Sequence, residues 1–193
     1  MRKIIAFTNV SLDGYFAGPN GEIDWFKTSD DEEKAFTHKA AKQSSTLIFG
    51  HTTYEMMAGF WPTADAARND PVIAGVMNSA PKIVFSKTLK PVKDGPVWKN
   101  VRVLHEIKKE EVARLKEQAG GDMVILGSGR IVQQLSNLDL IDEYQLMVHP
   151  LILGAGKYLF SGVNSMNLKL YDIRTFRSGK VFVTYNRAGK SDP

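Results

Sequence analysis

The chain has 193 residues, of which 43% are hydrophobic and 24% are charged, and it contains no cysteine. This length suits one domain with a large core, and the lack of cysteine excludes disulfides, thiolate metal sites, iron–sulfur clusters and cysteine nucleophiles. The formal net charge is +4, and residues 80–110 carry eight Lys and Arg against three Asp and Glu, a local charge of +5.

Strand and helix patterns alternate along most of the chain, with only strands predicted in the C-terminal third. In chain order the patterns predict a strand at 3–10, a turn-rich loop at 11–21, a helix that ends near 44, a strand at 46–49, helices at 52–58 and 71–78, strands at 82–85 and 101–104, a helix at 108–118, a strand at 123–126, a helix at 130–136, and strands at 143–148, 168–176 and 181–186. This order predicts one α/β domain over 1–193, with a core at 1–187 and a polar tail at 188–193.

Two sequence details predict how individual helices begin and pack. Ser29 and Glu32 have the capping-box spacing, which predicts that Ser29 caps the first helix. The helix at 108–118 is expected to place Val112, Leu115 and Ala119 on one buried face.

Several familiar sites are excluded by spacing. The pattern G-x-G-x-x-G fails at Gly127 and at Gly154, and Ser128 lacks the G-x-S-x-G spacing of a nucleophile elbow. The four histidines show no metal-ligand spacing, so no metal site is predicted.

A strand that runs through Gly into a helix occurs twice, at Gly50 and at Gly127. Free N–H groups and the positive end of the helix dipole make such junctions anion sites, and Gly lets phosphate oxygens approach the backbone. A third strand end carries Ser86 and Lys87. Because ligands in open α/β sheets lie beyond the carboxyl ends of strands, the pattern favours a dinucleotide.

At these residues the sequence resembles the dihydrofolate reductase superfamily, and more closely the branch that contains the reductase domain of riboflavin-biosynthesis deaminase-reductases, here as a stand-alone form. The stretches that carry the resemblance are 11–14, 50–55, 86–87, 127–134, 140–143 and 149–156. The resemblance implies a three-layer α/β/α sandwich on a mixed, mostly parallel sheet with an antiparallel C-terminal hairpin. It also implies a homodimer.

The resemblance further implies an NADPH site. The positions that match the pyrophosphate-binding turn and helix start are Gly127, Ser128, Gly129, Arg130 and Ile131. The positions at the first junction and the neighbouring strand end are Gly50, His51, Thr53, Ser86 and Lys87, of which Thr53 matches a phosphate contact and His51, Ser86 and Lys87 surround the adenosine 2′-phosphate. The positions that cover the nicotinamide are Thr8, Asn9, Phe16 and Asn20.

For the substrate half, folate reductases carry a buried carboxylate on the first helix, and Asp24 is the matching candidate for a proton donor. Trp25 is a candidate for stacking on a heterocycle. The implied activity resembles that of the 5-amino-6-(5-phosphoribosylamino)uracil reductase domain, with hydride transfer to a C=N or C=O carbon of a small heterocyclic substrate.

Three alternatives stay open from the sequence: a true dihydrofolate reductase, a non-catalytic NADPH-binding protein, and a nucleic-acid-binding protein. The third is disfavoured, because the basic residues of 80–110 follow Pro and Gly turns instead of lining one helix, and most basic segments are solubilising surface. No stretch reaches about 18 apolar residues and the N-terminus turns polar early, so the chain is expected to be cytoplasmic and not bound to a membrane.

Overall fold

The computed structural model of the chain describes residues 1–26, 30–89 and 98–188. Within these residues the strands are β1 (Ile4–Ser11), β2 (Tyr15–Ala17), β3 (Thr46–Gly50), β4 (Lys82–Phe85), β5 (Val101–Leu104), β6 (Met123–Leu126), β7 (Glu143–His149), β8 (Lys157–Tyr158), β9 (Leu168–Thr175) and β10 (Val181–Arg187). The helices are α1 (Asp31–Gln43), α2 (His51–Phe60), α3 (Ala64–Asn69), α4 (Pro71–Ser79), α5 (Lys109–Glu117) and α6 (Gly129–Asn137).

Eight of these strands form one sheet in the order β5-β4-β3-β6-β1-β7-β10-β9. Neighbours from β5 to β7 run parallel, whereas β10 is antiparallel to both β7 and β9. The α/β fold with a mostly parallel sheet and an antiparallel C-terminal hairpin is therefore confirmed.

Alternating side chains of the strands fill two separate cores, because successive side chains of a strand point to opposite faces. In β3, Ile48 packs in the core beneath α5 and α6, while Leu47 and Phe49 pack with residues of α2 and α4. A smaller cluster around Phe182 joins Phe36 of α1 to the C-terminal strands. Helices thus cover both faces of the sheet, which gives the three layers.

Helix α1 is held over the sheet by polar contacts at two places. Near its start, Glu33 accepts hydrogen bonds from Lys180 at 2.7 and 2.8 Å, and both side chains are buried. Further along, His38 Nε2 lies 2.9 Å from Asp70, which caps the start of α4. These contacts fix the gap between α1 and the sheet, which bounds the site described below.

The structure differs from the sequence expectations in four details. Strands β2 and β8 pair with each other although their sequences are too short to show a pattern, and α3 starts at an unpredicted cap, Thr63. Ser29 lies outside the described residues, and Asp30 caps α1 instead, accepting from the Glu33 N–H at 2.7 Å. Ala119 is exposed because the chain is already extended at Gln118.

No helix in the described part of the chain has both the length and the apolar character needed to cross a membrane.

Candidate functional site

A cavity of about 1010 Å³ lies on the sheet face that α1, α2 and α4 cover. Its floor includes Ile5 and Phe7 of β1, Val124 of β6 and Leu47 of β3. Its wall includes Phe36 of α1. The cavity extends to the carboxyl ends of the parallel strands, where both predicted strand–Gly–helix junctions lie.

The two junctions are joined directly by a hydrogen bond. The Gly50 N–H donates to Ser128 Oγ at 2.7 Å, so the end of β3 is fixed against the turn that follows β6. In that turn Gly127 has φ +59° and Ser128 has φ +60°, a left-handed conformation that is strained for a side-chain-bearing residue such as Ser. Strain of this kind is concentrated at binding sites, where the surrounding contacts hold it in place.

The backbone at the two junctions has little room for side chains. A Cβ added at Gly129 would lie 2.4 Å from the ring of Phe16, and one added at Gly50 would lie 3.1 Å from Ile131. These glycines therefore keep the helix starts close to the surface of the cavity. Exposed backbone of this kind allows the oxygens of a phosphate to reach the N–H groups.

The first turns of α2 and α6 have no side-chain cap, since Gly50 and Ser128 occupy the N-cap positions without capping the helix N–H groups. The first N–H groups of a helix have no partner within the helix. Two helix starts with free donors, placed side by side, suit a ligand that carries two phosphates.

Basic side chains surround the same end of the cavity. Arg130 follows the second junction, and Lys87 follows the end of β4. His51 follows β3, the strand that lies between β4 and β6 in the sheet. Its Nδ1 lies 3.0 Å from Thr88 Oγ1, and its Nε2 lies 3.1 Å from Glu55. Both ring nitrogens of His51 are thus engaged within the protein, so the ring must turn before it can contact a phosphate.

The carboxyl end of β1 supplies a different set of polar groups. Thr8 Oγ1 is buried and has no hydrogen-bond partner among the described residues. Next to it, Asn9 Oδ1 lies 2.8 Å from Nε2 of the buried His149. Burial, together with the nearby charge of Lys180, lowers the pKa of His149 to about 4. The imidazole is therefore neutral at pH 7, and its Nε2–H donates to Asn9.

The two helix starts, the basic side chains and the polar groups at the end of β1 fit a nicotinamide dinucleotide. The uncapped N–H groups of the two helix starts and the cations suit the phosphates, and the Thr8 hydroxyl, which has no hydrogen-bond partner among the described residues, suits a polar group at the nicotinamide end. The residues that would hold the phosphates are Gly50, Thr53, Ser86, Lys87, Gly127, Ser128, Gly129, Arg130 and Ile131.

Most of the residues predicted for the cofactor site line this one cavity, and Asn20 is the exception. Asn20 is exposed in a turn, where its side chain donates to Glu22 at 2.7 Å. Asp24 is also exposed; it lies in a turn before α1, so it does not provide the expected buried carboxylate on the first helix. The carboxylate that α1 does bury is Glu33.

Trp25 lies behind the cavity lining. Its ring meets the edge of the His149 ring at a centroid distance of 5.1 Å, while Phe26 stacks on His149 at 5.7 Å and lines the cavity. Trp25 therefore packs against the His149 side chain and is not among the residues that line the cavity.

Sequence reasoning missed the residues of the floor and of the helix wall. Glu143 and Gln145 of β7 and Ala40 of α1 line the cavity, but they were not singled out. The sequence signal that could have revealed the floor is the alternation of side chains along β1, which places Ile5, Phe7 and Asn9 on one face of the strand. Among the described residues, no group of three or more His, Asp or Glu is placed to hold a metal ion.

The contact between Gly129 and Phe16 leads to a prediction. Gly129→Ala should lower the free energy of unfolding by about 1–3 kcal/mol and weaken dinucleotide binding, because the added methyl group displaces the Phe16 ring. In a Phe16→Ala background the same substitution should cost almost nothing. Chemical denaturation of the four proteins measures this coupling, and equal costs in both backgrounds would contradict the packing described here.

Solved structures of other proteins share this fold. A putative riboflavin biosynthesis protein from Shewanella sp. PV-4 superposes with a TM-score of 0.76 at 24% identity, covering 97% of this chain and 99% of that chain. The diaminohydroxyphosphoribosylaminopyrimidine deaminase/5-amino-6-(5-phosphoribosylamino)uracil reductase from Thermotoga maritima gives a TM-score of 0.62 at 16% identity, covering 97% of this chain and 57% of that chain. These likenesses show that the chain shares the fold of both structures, a class of α/β proteins with a mostly parallel sheet.

The family follows from the sequence itself. The model of the RibD C-terminal domain matches residues 2–182, and the chain belongs to that family. It is also similar to the uncharacterized protein YyaP of Bacillus subtilis strain 168, with 33% identity over 189 residues that cover 97% of this chain and 96% of that protein. The resemblance inferred from the sequence motifs is therefore confirmed.

Proposed function

We propose that this protein is an NADPH-dependent reductase that transfers a hydride to a C=N or C=O carbon of a small heterocyclic substrate. The observation that carries this proposal is the direct link between the two helix-start junctions, through the 2.7 Å hydrogen bond from Gly50 to Ser128, at one end of the cavity. Membership of the RibD C-terminal domain family supports it.

The nicotinamide, when bound, supplies the hydride, and the protein supplies position and shelter. The helix starts at Gly50 and Gly129 bind the phosphates, while Lys87 and Arg130 add charge. The hydrogen bond from His149 fixes the side-chain amide of Asn9 at the end of β1, next to the place where the nicotinamide would lie. The apolar floor excludes water from that region, and holding the reactants in place supplies most of the rate acceleration.

The first test is thermal unfolding with NADPH, with NADH and without ligand. At 100 times its dissociation constant, a ligand stabilises the folded state by about 2.7 kcal/mol, which raises the midpoint by several degrees. We expect a larger rise with NADPH than with NADH. Lys87→Ala should remove most of that difference, because Lys87 lies at the strand end next to the expected 2′-phosphate.

Lys99→Ala is the matched control for this test, since Lys99 is an exposed lysine of the same basic segment that does not line the cavity. Lys99→Ala should leave the rises in unfolding midpoint with NADPH and with NADH unchanged. If neither dinucleotide raises the midpoint, the proposed cofactor is wrong. If both raise it equally, the assignment of Lys87 to the 2′-phosphate is wrong.

We propose in addition that two copies of the chain pair through β9. All eight residues of β9 are exposed, and in the described part of the chain only its β10 side is paired. Leu170 and Ile173 lie opposite Tyr185 and Val183, so they share one sheet face, and they are 51% and 57% exposed. An unpaired edge strand with apolar side chains favours pairing with another chain.

Light scattering during gel filtration tests the dimer. The protein should elute at twice its chain mass of 21.5 kDa, and the double substitution Leu170→Lys with Ile173→Lys should shift it to the monomer. Leu12→Lys changes an apolar residue that is 66% exposed elsewhere, and should leave the dimer intact. A monomeric parent protein at tens of micromolar would contradict this proposal.

A further inference from the structure

The charged residues of the cavity are divided between its two ends. The basic residues that line it are His51, Lys87, Arg130 and Lys157, and all of them lie near the carboxyl ends of the strands or the β2–β8 pair. The acidic residues that line it, Asp122 and Glu143, lie at the opposite end, where β6 and β7 begin. Among the described lining residues, no cation belongs to this second end.

An arm of the cavity connects the two ends along the sheet. Ile5, Phe7 and Asn9 alternate on one face of β1, and all three line the cavity. The four residue steps from Ile5 to Asn9 span about 13 Å of extended chain. Because Ile5 pairs with Glu143, the arm leads from Asn9, at the proposed nicotinamide end, to the Glu143 carboxylate.

The walls of this arm are apolar and partly aromatic. Phe7 and Phe36 both pack against Phe182, with ring centroids at 6.3 and 4.7 Å, and both line the cavity. Val124 of β6 and Ala40 of α1 also line it, and Gln145, which pairs with Phe7, adds one amide. A space bounded by rings and short aliphatic side chains favours a flat, mostly apolar molecule.

The far end of the arm accepts hydrogen bonds. Glu143 is 7% exposed, and its Oε1 accepts from Gln145 Nε2 at 2.6 Å. Its Oε2 lies 3.4 Å from the half-exposed Lys3 ammonium. Each carboxylate oxygen has two lone-pair sites, so Glu143 can accept further donors from a ligand. A phosphate brought to the same place would meet the buried Glu143 carboxylate, beside which the half-exposed Lys3 is the cation given by the structure.

We propose that this arm is the binding site of the second substrate, and that this substrate is an uncharged or cationic aromatic molecule with an N–H or O–H donor for Glu143, not a phosphate ester. The proposal rests on the proposed function only in that the hydride donor is placed at the Asn9 end. In this arrangement the phosphates of the dinucleotide are the anionic groups of the two bound molecules, and they lie at the end of the cavity that the basic residues line.

A matched set of three compounds tests this inference: 2-phenylethylamine, 2-phenylethanol and 2-phenylethyl phosphate share one ring and one chain length. Calorimetric titration into the protein, with NADPH present, measures their affinities. We expect the amine and the alcohol to bind, and the phosphate to bind at least about tenfold more weakly than the amine, because like charges repel in a desolvated arm. Glu143→Gln should shrink that ratio, and Glu117→Gln, an exposed acid outside the cavity, should not.

Ala40→Trp locates the binding, since the larger ring fills the arm and should abolish binding of the amine. Equal or tighter binding of the phosphate, failure of all three compounds to bind, or unchanged amine binding in Ala40→Trp would each overturn the inference. The midpoint shift with NADPH is recorded on the same samples. A lost NADPH shift with the affinity order intact would refute the cofactor alone, whereas a reversed order with the shift intact would refute the substrate class alone.

Discussion

Replacing Lys180 by Met should lower the free energy of unfolding by about 3–5 kcal/mol, because it removes the cation from a buried carboxylate. Lys180 Nζ lies 2.7 and 2.8 Å from the two oxygens of Glu33, and the two side chains are 6% and 5% exposed. The pair joins the first turn of α1 to the start of β10. Losing it therefore also loosens the helix that walls the cavity.

Urea denaturation of three further variants separates the charge from the packing. Glu33→Leu combined with Lys180→Met should recover much of the lost stability, since an apolar pair of similar volume leaves no buried charge behind. Arg174→Met is the matched control, because the pair of Arg174 with Glu32 also holds the first turn of α1, here to the neighbouring strand β9, but is 44% and 43% exposed. It should cost about 1 kcal/mol or less. Equal costs for Lys180→Met and Arg174→Met would contradict the role of burial.

The parts of the fold that the sequence predicted well are those specified by neighbouring residues. Alternating or continuous apolar runs marked strands such as β3 and β6, and Pro71 marked the first turn of α4, where the structure places it. The glycine junctions were also visible, because a strand, a Gly and a helix start lie within a few residues. Residues chosen from that local pattern, such as Gly50 and Ser128, line one cavity.

The parts that were not predicted depend on contacts between distant residues. Asn9 and His149 are 140 positions apart, and only the parallel pairing of β1 with β7 brings them to 2.8 Å. The substrate arm has the same origin, since Glu143 reaches it through its pairing with Ile5. The placement of Asp24 shows the same limit: nearness in sequence matched it to a buried carboxylate of the first helix, whereas it lies exposed in the turn before α1 and the helix buries Glu33.

His149 should make the protein lose stability in acid. Its pKa is lowered from 6.5 to about 4 in the folded state, first by burial and second by the charge of Lys180. Below pH 6.5 the unfolded chain takes up a proton at His149 that the folded protein refuses until about pH 4. The contribution of His149 to stability is therefore complete above pH 6.5, falls as the pH drops through this window, and reaches a loss of about 3 kcal/mol.

Urea denaturation at pH 7, 5.5 and 4 measures this loss, and His149→Asn, which keeps a neutral N–H donor for Asn9, should flatten the profile between pH 6.5 and 4. The ring protons of His149 in NMR spectra give the protonation midpoint directly. The same experiment bears on the site. Protonation of His149 places a positive charge against the rings of Trp25 and Phe26 and next to the side-chain amide of Asn9, which lines the cavity. A midpoint at or above 6.5 would show that burial does not lower the pKa of His149, and it would contradict the predicted loss of stability between pH 6.5 and 4.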